Sequence, residues 1–227
     1  MKEPVKMNCD DGVAIVVLDR PEAANALTPV TLLRLLEIFE SLRDDPNVKG
    51  IVITGEGKHF CAGADIGKMA MMDDAAARVF VETGQKLMFL IEAVEKPVIA
   101  AVNGQAAGGG LELALACDYI VAAESAVFAA PEVKLGVIPG FGGTQRLSRL
   151  IGKARAKEMI YTGMGINARV ACAIGLVNTI YPDKALLDGA VGVMKDLCDC
   201  SSVALHMAKG VIDSGADISL ESACRLE

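Results

Sequence analysis

Two glutamates, Glu112 and Glu132, lie twenty residues apart in settings that ordinarily exclude a carboxylate. Glu112 interrupts the apolar run Leu111-Glu112-Leu113-Ala114-Leu115 directly after three glycines, and Glu132 follows Ala129-Ala130-Pro131 and leads into Val133-Lys134-Leu135. Burying an unpaired carboxylate costs on the order of several kcal/mol, so such a group acquires a partner or a raised pKa. A pair of carboxyl groups tuned in this way is the equipment of general acid/base catalysis. Taken singly, each has a plainer reading: a glutamate near a helix start complements free backbone N–H groups and the helix dipole. Their flanks favour chemistry.

The segment from Pro97 to Glu112 sets a glycine-rich turn, Gly104 and Gly108 to Gly110, between an apolar strand and a helix. The glycines do not make GxGxxG and no GK[ST] occurs, so a nucleotide-phosphate loop is disfavoured. The other use of such a turn is an anion hole. Glycine lets backbone approach a ligand closely, and a helix start leaves N–H groups free to stabilise an oxyanion. A second small-residue loop, His59-Phe60-Cys61-Ala62-Gly63-Ala64-Asp65-Ile66, follows a strand and is placed to supply another donor. In the plainer reading it is a strand-to-helix turn with Asp65 as N-cap, and the two roles are compatible. His59 reads either as a loop histidine at the surface or as a neighbour of the chemistry.

Composition sets the frame. The chain has 227 residues, of which 52% are hydrophobic, mostly aliphatic, with no Trp. Together with a mean hydropathy of +0.41, this excludes a disordered chain and fits a densely packed α/β domain. A net charge of −7 argues against a nucleic-acid partner. No apolar stretch reaches the roughly twenty residues that span a bilayer. The start, Met1-Lys2-Glu3-Pro4, carries no secretory or organellar signature, which predicts a cytoplasmic protein. The seven cysteines form no CxxC pair and only two histidines accompany them, so neither a disulfide framework nor a metal site is expected.

Patterning supplies the elements that must position the two carboxyl groups. Val5 to Cys9 and Val13 to Leu18 flank an Asp-Gly turn and predict a hairpin. Thr28-Pro29 starts a helix that Pro46 ends, and a longer helix is expected from about Asp73 to Val94. Strands are expected at Lys49 to Thr54, Pro97 to Val102, Tyr119 to Ala122 and Ala126 to Ala129. After Thr144 helical patterns dominate, apart from one strand at Val177 to Tyr181. Strands alternating with helices predict an α/β architecture, here one domain with a helical tail.

Several segments resemble the enoyl-CoA hydratase/isomerase, or crotonase, superfamily. They are Arg20-Pro21 with Asn25-Ala26-Leu27, Ala62 to Ile66, Ala100 to Gly104 through Gly110 to Ala114, Pro131 to Gly136 through Ile138 to Leu147, and Ala173 to Val177. The resemblance implies a crotonase-like superhelix of repeated ββα units over residues 1–182 and a helical C-terminal region over 183–227. It further implies homotrimers or hexamers built as paired trimers. It assigns the oxyanion hole to the N–H groups of Ala64 and Gly109, and the catalytic pair to Glu112 and Glu132. Substrate contacts fall to Ala24, Ala62, Ala64, Asp65, Ile66, Gly109, Pro139 and Gly140. The partner implied is an acyl-CoA thioester, with no metal or redox cofactor, since CoA arrives on the substrate. Possession of both glutamates favours water addition to a 2-enoyl-CoA; the alternatives are a Δ3,Δ2-enoyl-CoA isomerase and a non-catalytic binding protein of the same fold. Two departures from the family pattern stand out. Gly67, not Lys, follows Ile66, with Lys68 one place later, and the sequence ends before the terminal helices usual in relatives.

Overall fold

The computed structural model describes residues 2–227. Strands β1 (Val5–Asp10) and β2 (Val13–Leu18) pair antiparallel around Asp11 and Gly12. Both turn residues have positive φ, 49° and 79°, as a two-residue hairpin turn demands. Helix α1 (Pro29–Asp44) starts where Thr28 Oγ1 accepts the Thr31 N–H at 3.1 Å and Pro29 occupies the first turn. It stops two residues before Pro46, and Leu32, Leu35, Phe39 and Leu42 form its buried stripe.

The chain then winds through three strand–strand–helix passes. The first comprises β3 (Gly50–Gly55), β4 (His59–Cys61), the single turn α2 (Ile66–Met69) and α3 (Asp74–Ala93). The second is β5 (Val98–Val102), β6 (Gln105–Ala107) and α4 (Gly109–Leu115). The third is β7 (Tyr119–Ala123), β8 (Val127–Ala129), a 3-10 turn at Glu132–Leu135 and α5 (Gly143–Ile151). Successive passes stack: β3, β5 and β7 pair parallel in one sheet, and β4, β6 and β8 pair parallel in another, with a shift of register between His59 and Cys61 of β4. The result is a spiral of ββα turns. Every residue of β3 and β5 is buried, as expected of parallel strands covered on both faces.

Helix α6 (Lys153–Thr162), strand β9 (Ile166–Asn167), helix α7 (Ala168–Ala173) and strand β10 (Thr179–Tyr181) close the spiral, with β10 parallel to β7 and β9 antiparallel to β8. The sheets thus run β1-β2-β3-β5-β7-β10 and β4-β6-β8-β9. Helix α8 (Leu186–Cys198) buries Leu186, Ala190 and Met194, whereas α9 (Ser202–Gly215) and α10 (Leu220–Cys224) bury none of their residues. The expected hairpin, long helices and apolar strands are all present. Strands β4, β6 and β9 are not among the expected elements. They have three, three and two residues, too few for a periodic pattern, and each exists by pairing with the adjacent pass.

One core contact bears on the site. Phe141 is buried edge-on to Phe80, ring centroids 5.4 Å apart, and seats in a notch on α3 at Gly84. A Cβ at Gly84 would lie 2.3 Å from the Phe141 ring, while on the opposite side a Cβ at Gly109 would lie 3.2 Å from it. The ring has no room to retreat. Gly84→Ala is expected to destabilise the fold by about 1–3 kcal/mol through overpacking, read as a lower urea midpoint at unchanged m-value.

Candidate active site

Helix α4 begins where Gly108 takes φ 51° and ψ −125°, a backbone conformation open to glycine and almost nothing else. That elbow puts Glu112 in the first turn of α4, facing the loop before α5. Glu112 is 3% exposed, and its Oε1 accepts the N–H of Phe141 at 2.8 Å and of Gly143 at 2.7 Å. Gly143 must lack a side chain, because a Cβ there would lie 2.8 Å from Glu112 Cγ. Burial pushes the Glu112 carboxyl up to about 7. The Gly143 hydrogen bond opposes that rise, the nearby Glu132 charge adds to it, and the Phe141 hydrogen bond and Arg146 charge oppose it further.

Glu132 opens the 3-10 turn after β8. It is half-buried, burial raises its pKa, and its Oε2 is enclosed without a hydrogen-bond partner. A Cβ on Gly108 would lie 3.2 Å from Glu132 Oε1, so the carboxyl leans over the glycine elbow. Glu112 and Glu132 share a cavity of about 10 Å³ with Gly108, Pro139, Gly143 and Leu147. That is roughly the room one water molecule needs. Larger cavities exist, including one of about 450 Å³ beside Arg43, Lys96 and His206, but it contains none of the candidate residues.

The two main-chain donors come from separate passes. Leu27 pairs parallel with Ala64: the Leu27 N–H donates to Gly63 O at 2.8 Å and the Asp65 N–H to Leu27 O at 2.9 Å. In a parallel ladder the residue between those two partners turns its own N–H to the opposite side. The Ala64 N–H accordingly donates to nothing among the described residues. Gly109 is the first residue of α4, and its N–H is likewise unused, as a helix start leaves it. The two loops touch: a Cβ on Gly63 would lie 2.8 Å from Ala107 O and 3.4 Å from Gly109 N.

The remaining sequence-derived residues divide by place. Ala24 and Asn25 both adopt positive φ, 49° and 56°, and Ala24 O accepts the Ala62 N–H at 3.0 Å. Asn25 is buried; its side chain accepts from Arg20 N and donates to Glu56 O and His59 O, locking this loop onto β4. Asp65 caps α2 through the Lys68 N–H and pairs with Arg20 at 3.4 Å, so its carboxylate is already engaged. Ile66 is exposed. Pro139 lines the carboxyl cavity, whereas the Gly140 carbonyl turns to α3 and accepts from Gln85 Nε2 at 2.8 Å. His59 enters this network through its carbonyl. Phe141, Gly143 and Arg146 lie in the family-like segment Ile138 to Leu147, but the sequence alone does not connect them, or Glu92, with the Glu112 carboxyl. Glu92 gave no signal in the sequence.

Among the described residues no group of three His, Cys, Asp or Glu side chains is placed to hold a metal ion, and no helix is long and apolar enough to cross a membrane.

Residues 8–227 match the family described as Enoyl-CoA hydratase/isomerase. The chain belongs to that family. It is 43% identical over 226 residues to the crotonyl-CoA hydratase of Syntrophomonas wolfei, covering 99% of this chain and 87% of the relative. It is 42% identical to the short-chain-enoyl-CoA hydratase of Clostridium acetobutylicum, over 95% of this chain and 83% of that one. The crystal structure of enoyl-CoA hydratase from Bacillus anthracis superposes with a TM-score of 0.96 at 38% identity, covering 98% of this chain and 87% of that one. The spiral of ββα turns is therefore the fold of this family.

The raised Glu112 carboxyl has a consequence for stability. Its folded pKa, about 7, lies above the ordinary value of 4.5, so the unfolded chain ionises first and stability falls as pH climbs between those values. The full penalty, roughly 3 kcal/mol, applies above pH 7. A glutamine retains an oxygen for both N–H donors and carries no charge. Glu112→Gln is therefore expected to raise Tm at pH 8 and to leave it nearly unchanged at pH 4.5, in paired calorimetric scans.

Proposed function

We propose that this protein is an enoyl-CoA hydratase, adding water across the 2,3 double bond of a 2-enoyl-CoA to give a 3-hydroxyacyl-CoA. The observation that carries the reading is the convergence of Glu112 and Glu132 on one water-sized cavity, beside two unused main-chain donors, Ala64 and Gly109. The thioester oxygen would accept from those two N–H groups, which draws electron density toward an enolate and makes C3 electrophilic. A water held between the carboxyl groups then attacks C3. Glu112 takes a proton from the water as the C3–O bond forms, and protonated Glu132 delivers a proton to C2 as the enolate collapses. One proton has then moved from Glu132 to Glu112, and exchange with solvent resets the pair. The reverse sequence dehydrates a 3-hydroxyacyl-CoA.

Burial raises both carboxyl groups, Glu112 the more, so both are suited to exchange protons near neutral pH; which gives and which takes follows the family resemblance. A carboxyl near pH 7, as burial makes Glu112, is matched to proton transfer at neutral pH. Burial also favours the protonated form of Glu132. No step calls for a metal or redox cofactor. The loop pair of Ala24 with Ala62 to Ile66 would hold the CoA portion largely through backbone, and Pro139 with Gly140 would border the acyl chain. Isomerisation of a 3-enoyl-CoA needs only a single carboxyl to move one proton; the second buried carboxyl favours hydration.

The same proposal includes a cytoplasmic setting and assembly as a homotrimer or a dimer of trimers. Exposed Val203, Met207, Ile212 and Leu220 on α9 and α10 are apolar surface that such an assembly would cover.

Crotonyl-CoA hydration, followed by loss of enoyl thioester absorbance, tests the reading. Glu112→Gln and Glu132→Gln are each expected to lower kcat by about 10²–10⁴-fold while KM changes little. Rapid conversion of a 3-enoyl-CoA with no hydration would reject it in favour of the isomerase. Absence of acyl-CoA binding would reject it in favour of a non-catalytic protein.

A further inference from the structure

The Phe141 peptide is held at both ends. Its N–H donates to Glu112 Oε1 at 2.8 Å, and its carbonyl accepts from Arg146 Nη1, also at 2.8 Å. Arg146 is itself fixed. Its Nε and Nη2 reach the two carboxylate oxygens of Glu92 on α3 at 2.5 and 2.7 Å, and the guanidinium carbon lies 5.2 Å from the Phe89 ring centroid. The Arg146 side chain is 13% exposed. A Cβ on Gly142 would lie 2.1 Å from Nη1, so glycine at that position lets the guanidinium lie flat against the loop.

We propose that Arg146, locked by Glu92, is a positioning residue that fixes the Phe141 peptide and through it the orientation of the Glu112 carboxyl toward the reacting water. The role of that water rests on the hydratase reading; the mechanical linkage does not. Three of the five guanidinium donors are spent on two elements, α3 and the loop entering α5, in a fork that lysine cannot reproduce. The charged groups that act on Glu112 are Glu132 from the 3-10 turn and Arg146 from α5. On its solvent side Arg146 faces a cavity of about 610 Å³ with Arg149, Asp213 and Asp217. Arg149 there pairs with Asp217 at 3.5 Å. The fork therefore lies between the solvent-side charges and the catalytic carboxyl.

The test compares Arg146→Gln, Arg146→Lys and Glu92→Gln with the unaltered protein by steady-state kinetics, by infrared titration of the Glu112 carboxyl (assigned with Glu112→Gln), and by Tm. Loss of the fork in Arg146→Gln is expected to lower kcat about 10–100-fold, since small misplacements of catalytic groups have effects of that size. KM should stay within about threefold, because substrate contacts are untouched. The Glu112 titration midpoint should move up, as removing a cation and loosening an N–H donor both disfavour the carboxylate. The acid limb of the kcat profile should follow it. Arg146→Lys keeps the charge without the fork, so its midpoint should return toward the unaltered value while kcat recovers only in part. Glu92→Gln keeps the Arg146 cation and frees its fork, so kcat should fall as in Arg146→Gln, by less, with KM again little changed, and this loss of kcat decides the matter should Arg146→Gln not fold.

A lowered Tm with kcat and the Glu112 midpoint both unaltered would mean that the pair only ties α3 to α5, and the proposal would be wrong. Should the unaltered protein fail to hydrate any 2-enoyl-CoA, the hydratase reading falls, and the carboxyl titration still decides the linkage.

Discussion

The carboxyl of Glu112 sits inside the protein with two main-chain N–H groups on one oxygen, and much of the surrounding structure answers to that arrangement. Glycine is required at 143 to clear its side chain and at 108 to aim the helix that carries it. Phe141 must be seated for its N–H to reach the carboxyl, which requires the notch at Gly84. The bonds hold the carboxyl in one orientation without neutralising the effect of burial, so the group is fixed yet still titrates near pH 7. Full solvation would return it to an ordinary acid. Burial without the two donors would leave it mobile and protonated.

Glu132 complements it by contrast. It has an enclosed oxygen with no partner, on a short 3-10 turn beside the glycine elbow. An unsatisfied buried acceptor is unfavourable for folding and is useful where a proton or a water must arrive. Two carboxyl groups of the same chemical type are thus given different surroundings by one short stretch of spiral: one braced by backbone, the other open to a ligand. In the proposed reaction that asymmetry would let the two groups take separate roles instead of sharing one.

Much of the architecture was legible in the sequence. The hairpin turn at Asp11-Gly12, the Thr28-Pro29 start and the all-apolar strands each carry a local signal, and the structure places them within a residue or two of expectation. Strands β4, β6 and β9 were not legible, because pairing with a neighbouring pass, and no pattern of their own, creates them. At the site, the two glutamates announced themselves by standing where apolar residues belong. The donors at Ala64 and Gly109 came from family resemblance, since a main-chain N–H leaves no trace in residue type. Asp65 was legible as a cap, which is how it is used. Glu92 and Arg146 look in sequence like ordinary helix-surface charges; only their convergence on Phe141 distinguishes them.

The pairing of Leu27 with Ala64, and the stacking of β4 on β6, make the placing of the unused Ala64 and Gly109 N–H groups a property of the coil itself. Successive windings are held apart by interstrand hydrogen bonding at a pitch of roughly 4.8 Å, a ruler that side-chain replacement does not alter. The two carboxyl groups hang on that ruler as interchangeable fittings. A descendant could lose either acid and keep both main-chain donors in place, which makes this scaffold a starting point from which new chemistry can be reached by few changes.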